Sequence, residues 1–369
     1  MSDKKTLILS IAHPYDLIFF LRLARESTIK QGHLLKIIFQ EHNYFIGKEK
    51  LAKDILKEIS ENFVFIRNNE IPSYGKNILK NLILALKLKK TLKTAVSRSN
   101  QLLILDKSTL KANILLSYFE APILLQFPVN ETDTKNWVLF LKKQFLINIY
   151  HTFLNLHPVK VWKLKNSEKL IEQYFINFPN LRKVHISNIQ DQGSINFSSI
   201  IKTQPSQNIA IFGSRYLGWN LPVEAIEKIH KYYRNIYDVF KDKASFIYIA
   251  HPLEKGREFE EVSDIFKKNI KNETSYLNSE HFLLENLHLS HCFSIGSTSS
   301  KSAYQMGLNS KIAYRSILSG TGIVDAFASV FADLPDHMHI DYDNVEDIRK
   351  TFNPAQIKAN FNKLYEVLR

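Results

Sequence analysis

Short apolar runs alternate with longer stretches of helical periodicity in the first part of the chain. The apolar runs predict β-strands at residues 6–11, 33–39, 101–105 and 122–127. Helical periodicity lies between them, most clearly over residues 16–30 and 77–94. Continuous apolar strands separated by helices are typical of a parallel sheet that is covered on both faces.

A polar stretch over residues 191–208, which contains Gly, Ser and Pro, interrupts this alternation and indicates a linker. The strand and helix pattern then restarts. It predicts strands at 208–212, 245–250 and 291–295, a helix at 222–240, and a last helix at 354–368.

Two such halves predict an α/β protein of GT-B type, with two doubly wound, Rossmann-like domains that face each other across a cleft. The expected boundaries are an N-terminal domain over 1–200 and a C-terminal domain over 207–345. Residues 346–369 are expected to form a helix that packs back toward the first domain. Ligands of such folds bind at the carboxyl ends of the strands.

Composition agrees with two ordinary globular domains. The chain has 369 residues, of which 45% are apolar and 23% are charged, and this mix excludes a disordered protein, a collagen and a disulfide scaffold. Cys292 is the single cysteine, so no internal disulfide can form, and we expect it to be a core residue. The sequence predicts neither a secretory signal nor a membrane span.

The formal net charge is +13, and two segments of the chain are rich in Lys and Arg. Residues 76–98 and 137–165 carry many Lys and Arg among apolar residues and lack Asp and Glu. Basic amphipathic helices of this kind can lie on an anionic membrane, or they can face a core and expose a solvated lysine face. Nucleic acid is disfavoured as a partner, because the chain has no RRM signature, no GXXG and no zinc-finger spacing.

Three strands of the second half end in polar turns. They are residues 213–215 (Gly-Ser-Arg), 251–252 (His-Pro) and 296–300 (Gly-Ser-Thr-Ser-Ser). A helix start with free N–H groups and hydroxyls binds anions such as phosphate, although the same residues can serve only as caps. An imidazole and a helix N-terminus at one edge of a sheet would converge on one anion.

The order and spacing of these motifs resemble those of bacterial sialyltransferases and polysialyltransferases, together with related Kdo and nonulosonate transferases, over about residues 207–310. The family has an HP pair, here His251-Pro252, and some forty residues later a Ser-Ser or Ser-Thr pair, here Ser297-Thr298. It also places a glutamate about 17 residues before the serine pair, here Glu280, with Glu285 as a less well spaced candidate.

The resemblance implies a metal-independent site for a CMP-activated donor in the domain over 207–345, and acceptor binding in the domain over 1–200. His251 would contact the phosphate and assist its departure, while Ser297 and Thr298 hold the same phosphate. Glu280 would hold the ribose hydroxyls, and Gly213, Pro252 and Gly296 would shape the nucleotide site. Positioned donors favour departure of a phosphate. The resemblance implies no metal, and the sequence shows no Cys-His cluster, so we expect no metal and no bound cofactor.

In this family an acidic motif of the first domain, (Asp/Glu)-(Asp/Glu)-Gly, supplies the general base. Here Glu131 and Asp133 follow the strand at 122–127, but the glycine is missing. Both are therefore base candidates, and both could instead cap the next helix. Asp106, after the strand at 101–105, is a third candidate, and His13 could contact an acceptor sugar or be structural.

The resemblance implies transfer of a sialic acid-type nonulosonic acid, or Kdo, from CMP to a hydroxyl of a surface glycan such as lipooligosaccharide or capsule. We expect inversion at the anomeric carbon, as in the sialyltransferases, while retention, as in a related branch of Kdo transferases, stays open. Its partners would be that donor, a glycan or glycolipid acceptor and an anionic membrane surface at the cytoplasmic face, and self-association stays open. The first alternative is a GT-B enzyme that uses a UDP- or GDP-sugar. The second is a non-catalytic basic protein that binds nucleic acid or membrane.

Overall fold

The computed structural model describes residues 5–25, 32–40, 47–67, 70–73, 77–105, 109–120, 122–126, 137–156, 182–185, 207–332 and 334–351. The described residues up to 185 belong to one compact unit, and those from 207 onward belong to a second. The predicted linker at 191–208 lies almost wholly outside the described residues, as does the predicted helix at 354–368, so both stay predictions.

The first unit is built on a parallel sheet. Its strands are β1 (Lys5–Ile11), β2 (His33–Gln40), β3 (Phe63–Ile66), β4 (Gln101–Leu105), β5 (Pro122–Gln126) and β6 (Arg182–His185). Its helices are α1 (Pro14–Arg25), α2 (Glu49–Ile59), α3 (Ile78–Ala95), α4 (Leu110–Tyr118) and α5 (Trp137–Leu154). The strand order is β3-β2-β1-β4-β5-β6, and every pairing is parallel.

The basic helix α3 packs one side on the core of this unit. Ala85, Leu88 and Leu92 are buried there, whereas Leu79 and Leu86 are exposed. One side of α3 therefore faces the core, as the alternative interpretation of segment 76–98 predicted. Among the residues that the structure describes, no helix is long and apolar enough to cross a membrane.

The second unit has its own parallel sheet. Its strands are β7 (Asn208–Phe212), β8 (Ser245–Ile249), β9 (Ile270–Asn272), β10 (His291–Ser294) and β11 (Ser310–Ile312). Its helices are α6 (Val223–Phe240), α7 (Arg257–Ile265), α8 (Ser279–Glu285), α9 (Thr298–Gln305), α10 (Tyr314–Ile317), α11 (Val324–Val330) and α12 (Val345–Arg349). The strand order is β11-β10-β7-β8-β9, again with parallel pairings.

The predicted fold class, two parallel-sheet Rossmann-like α/β domains, is confirmed. In both sheets the chain adds strands on one side of the first strand and then crosses to its other side, as in doubly wound folds. Aromatic side chains fill much of the second core, including Tyr232, Tyr233 and Tyr248. Cys292 is fully buried in β10, as predicted.

His291 gives this core a dependence on pH. Its ring stacks on Phe293 at a centroid distance of 5.6 Å and lies 4.8 Å from Phe240. Burial, together with the positive charge of Lys311, lowers the pKa of His291 to about 4. Because an unfolded His takes up its proton near pH 6.5, the unfolded state binds more protons between pH 6.5 and 4. Stability contributed by neutral His291 is therefore present above pH 6.5 and lost as the pH falls toward 4.

We expect the contribution of His291 to lower the free energy of unfolding by about 2 kcal/mol between pH 7.5 and pH 5. His291→Phe keeps a ring against Phe293 but cannot titrate, so the variant should lose correspondingly less stability over this range. Urea denaturation of both proteins at the two pH values measures the difference. An unchanged pH dependence in the variant would contradict this role of the imidazole.

Candidate functional site

The strand order of the second unit places its topological switch point between β7 and β10. The chain runs from β7 to β8 and β9 on one side and then crosses to β10 and β11 on the other. Open α/β sheets bind ligands outside the carboxyl ends of the strands at such a point. The polar turns at 213–215 and 296–300 follow the two strands that flank it.

The register brings three predicted turns to one level. Phe212 of β7 pairs with Ile249 of β8 and with Ser294 of β10. Two residues beyond this row lie Ser214, His251 and Gly296, each on an adjacent strand end. We call residues 213–215, 251–254 and 296–300 together the strand-end site.

The turn after β10 is held by its own hydroxyls. The buried Ser294 Oγ accepts the Ser297 N–H at 3.0 Å and lies 2.7 Å from Ser300 Oγ. Ser297 caps α9, because its Oγ accepts the Ser299 N–H at 3.3 Å. The capping group is a neutral hydroxyl, so the cap adds no negative charge at the positive end of the α9 dipole, where Thr298 is exposed. This end of the helix suits an anion.

Two glycines are needed for close packing at the site. A Cβ at Gly296 would lie 2.5 Å from two ring carbons of Phe327. A Cβ at Gly213 would lie 2.2 Å from Glu254 Oε1 and 2.7 Å from the Tyr248 hydroxyl. Both glycines therefore allow another side chain to pack directly against a strand-end turn.

His251 is half-buried in the turn after β8, and the exposed Pro252 follows it. The Leu253 N–H donates to His251 Nδ1 at 3.2 Å, so the neutral imidazole carries its proton on Nε2. Burial lowers the pKa of His251, the nearby Arg215 guanidinium lowers it further, and Glu258 partly opposes them. His251 is consequently a neutral Nε2–H donor at pH 7.

Glu254 joins two of the turns and was missed by the sequence analysis. Its carboxylate accepts the Arg215 N–H at 3.2 Å and the Tyr248 hydroxyl at 3.0 Å. Burial raises the pKa of Glu254, and these hydrogen bonds oppose that rise. The signal in the sequence is a carboxylate three residues after His251, but its partners become apparent only when β7 and β8 pair.

Glu280 is brought to α9, whereas Glu285 lies at the far end of α8. Ser302 Oγ of α9 donates to Glu280 Oε1 at 3.2 Å, and Ser279 Oγ donates to Oε2 at 3.2 Å. Ser299 Oγ in turn donates to Ser279 Oγ at 2.6 Å. Glu280 is thus the better placed of the two predicted carboxylates, beside the helix that begins at the strand-end site.

The predicted base candidates Glu131, Asp133 and Asp106 lie outside the described residues and stay predictions. His13 belongs to the first unit, where its N–H donates to the Asp16 carboxylate at 3.0 Å. Within the described ranges, no group of three or more His, Cys, Asp and Glu side chains is placed to hold a metal ion.

Comparison with known proteins adds information at the level of the fold. No family model matches the chain, and no curated protein matches it in sequence. Among solved structures, the UDP-GlcNAc 2-epimerase of Methanocaldococcus jannaschii is 10% identical, with a TM-score of 0.51 over 98% of this chain and 99% of that one. Another UDP-N-acetylglucosamine 2-epimerase is 11% identical, with a TM-score of 0.50 over 99% and 94% of the two chains. These structures support the GT-B-like fold class.

The resemblance to sialyltransferases is wrong, and so are the CMP-activated donor and the surface-glycan function inferred with it. The two solved structures described above, which share this fold, are UDP-GlcNAc 2-epimerases, and no family model supports the resemblance. The physical reason lies in the motifs. His251-Pro252 and Ser297-Thr298 mark the ends of two strands in one parallel sheet. Their spacing reflects the strands and helices between them. It specifies neither the nucleobase of the donor nor the number of its phosphates.

Proposed function

We propose that the protein is an enzyme that uses a UDP-activated sugar, held through its diphosphate at the strand-end site. The observation that carries the proposal is the level row of Ser214, His251 and Gly296 at the switch point of the second sheet. The choice of UDP is supported by the epimerases of like fold, whose names state a UDP-sugar. It agrees with the first alternative that the sequence analysis left open.

The residues have distinct roles in this proposal. The N-terminus of α9, with the hydroxyls of Ser297 and Thr298, binds phosphate oxygens. His251 donates its Nε2–H to the same group. Glu280 accepts hydrogen bonds from the ribose hydroxyls, since a carboxylate is an acceptor for paired hydroxyls.

The chemistry that such a site favours is cleavage of the bond between the anomeric carbon and the diphosphate oxygen. Negative charge grows on the departing UDP as this bond breaks. Fixed donors aimed at that charge stabilise the transition state more than the ground state. A neutral His251 fits this role because it donates a hydrogen bond without first having to take up a proton.

The test is binding of UDP and UDP-GlcNAc to the full chain, with CMP and GMP as comparison nucleotides. At 100 times its dissociation constant a ligand stabilises the folded state by about 2.7 kcal/mol, which thermal unfolding detects readily. We expect UDP and UDP-GlcNAc to raise Tm more than CMP or GMP at equal concentration. A folded protein whose Tm responds to neither uridine ligand would overturn the proposal.

A further inference from the structure

Ser214 carries a buried hydroxyl at the switch point of the second sheet. Its side chain is 3% exposed, and its Oγ has no hydrogen-bond partner within the described part of the chain. A buried polar group without a partner costs free energy, and almost all such groups in proteins are satisfied. The position of Ser214 at the switch point between β7 and β10 suggests that a ligand satisfies it.

The surrounding polar groups are already engaged with one another. The Gly213 N–H donates to the Ile249 carbonyl at 2.9 Å, and the Arg215 N–H donates to Glu254. Ser294 Oγ and Ser300 Oγ are paired at 2.7 Å. The hydroxyl of Ser214 is therefore left available by neighbours that are fixed in place.

Arg215 places a cationic side chain next to Ser214. Arg215 follows Ser214 directly, adopts a left-handed backbone with φ of 48° and exposes its side chain. Its guanidinium is near enough to His251 to lower the pKa of that imidazole. A hydroxyl and a guanidinium on consecutive residues are donors suited to phosphate oxygens.

Ser214 and Arg215 lie one strand away from the N-terminus of α9, where the first phosphate is proposed to bind. Adjacent strands of a sheet lie about 4.8 Å apart, so the turn after β7 and the turn after β10 can each contact one phosphate of a bridged pair. We propose that Ser214 Oγ and the Arg215 guanidinium bind the second phosphate of a nucleoside diphosphate, whose first phosphate occupies the N-terminus of α9. This inference rests on the proposed function and assigns the two donors that would make the site select a diphosphate over a monophosphate.

The experiment compares UDP and UMP binding, by calorimetric titration, in the wild-type chain and in Ser214→Ala. We expect Ser214→Ala to raise the Kd for UDP about tenfold and to leave the Kd for UMP unchanged. Its Tm without ligand should equal or exceed that of the wild type, because the lost hydroxyl has no partner within the described residues. This combination separates a ligand-binding hydroxyl from a structural one.

Ser310→Ala is the matched control. Ser310 is 2% exposed, and its Oγ also has no partner among the described residues, but it begins β11 at the opposite end of the sheet. We expect this variant to bind UDP and UMP as the wild type does. Arg215→Asn provides a second test should Ser214→Ala fold poorly, because asparagine tolerates the left-handed backbone at this position. This variant too should weaken the binding of UDP more than that of UMP.

The outcomes distinguish the two proposals. Wild-type protein that binds neither UDP nor UDP-GlcNAc overturns the proposed function, and the present inference falls with it. Wild-type protein that binds UDP supports the proposed function. If Ser214→Ala and Arg215→Asn then bind UDP as tightly as the wild type, or lose affinity for UDP and UMP to the same extent, the second-phosphate role is wrong and the proposed function stands.

Discussion

Lys311→Met should lower the free energy of unfolding by about 3 kcal/mol, since each buried polar group left unsatisfied costs about 1–3 kcal/mol. Lys311 lies in β11 and is fully buried. Its Nζ donates to the carbonyls of Asp347, Ile348 and Lys350, with the Ile348 oxygen at 2.9 Å. These carbonyls belong to the last turn of α12 and the residue after it, where helix carbonyls lack intrahelical partners.

The expected loss outweighs the relief of removing a buried charge. Burial lowers the pKa of Lys311 to about 7, so the ammonium group is itself held at some cost. Methionine removes that cost, but it leaves three carbonyls without their donor and takes a positive charge from the negative end of the α12 dipole. The loss of several hydrogen bonds at once makes the net effect destabilising.

Urea denaturation at pH 6, where the ammonium form predominates, measures this effect. Lys350→Met is the control, because the side chain of Lys350 is exposed and we expect its removal to shift stability by less than about 0.5 kcal/mol. Equal midpoints for Lys311→Met and the wild type would show that Lys311 does not hold α12 in place.

Strands with a strong apolar signal could be predicted from sequence, and weak ones could not. The bounds of β4 and β7 were predicted residue for residue, since both are continuous apolar runs between polar residues. Strand β3, with a half-exposed burial pattern, and the three-residue strands β9 and β11 were missed. Such short segments are strands because a neighbour in the sheet pairs with them, and no local pattern of that length distinguishes them from a loop.

The sequence predicted the position of the candidate site but only part of its side chains. The turns after β7, β8 and β10 were visible because Gly, Ser and His-Pro end apolar runs. Glu254 and Ser302 were missed, since their roles depend on partners brought close by strand pairing and by the packing of α8 on α9. The identity of the nucleotide could not be read from turns that many parallel α/β sheets share, and this is where the sequence interpretation was wrong.

Thr298→Glu should weaken UDP binding at least a hundredfold while leaving the unliganded protein as stable as the wild type. Thr298 is the first residue of α9 and is exposed. A carboxylate at a helix N-terminus interacts favourably with the helix dipole, typically by about 0.3–1 kcal/mol, so the fold should not suffer. The same carboxylate would occupy the electrostatic position proposed for a phosphate and repel it. The affinity for UDP is therefore expected to fall while the stability of the unliganded protein does not, a combination that a merely structural role of this turn would not produce.

Thr298→Gln is the matched control, because it has the size of glutamate without its charge. We expect its affinity for UDP to fall far less than that of Thr298→Glu, so the difference between the two variants measures repulsion at the helix N-terminus. Calorimetric titration with UDP gives the affinities, and thermal unfolding without ligand gives the stabilities. If wild type binds UDP and Thr298→Glu binds it equally well, the phosphate does not lie at the start of α9, since a full negative charge at that point cannot be neutral toward a diphosphate.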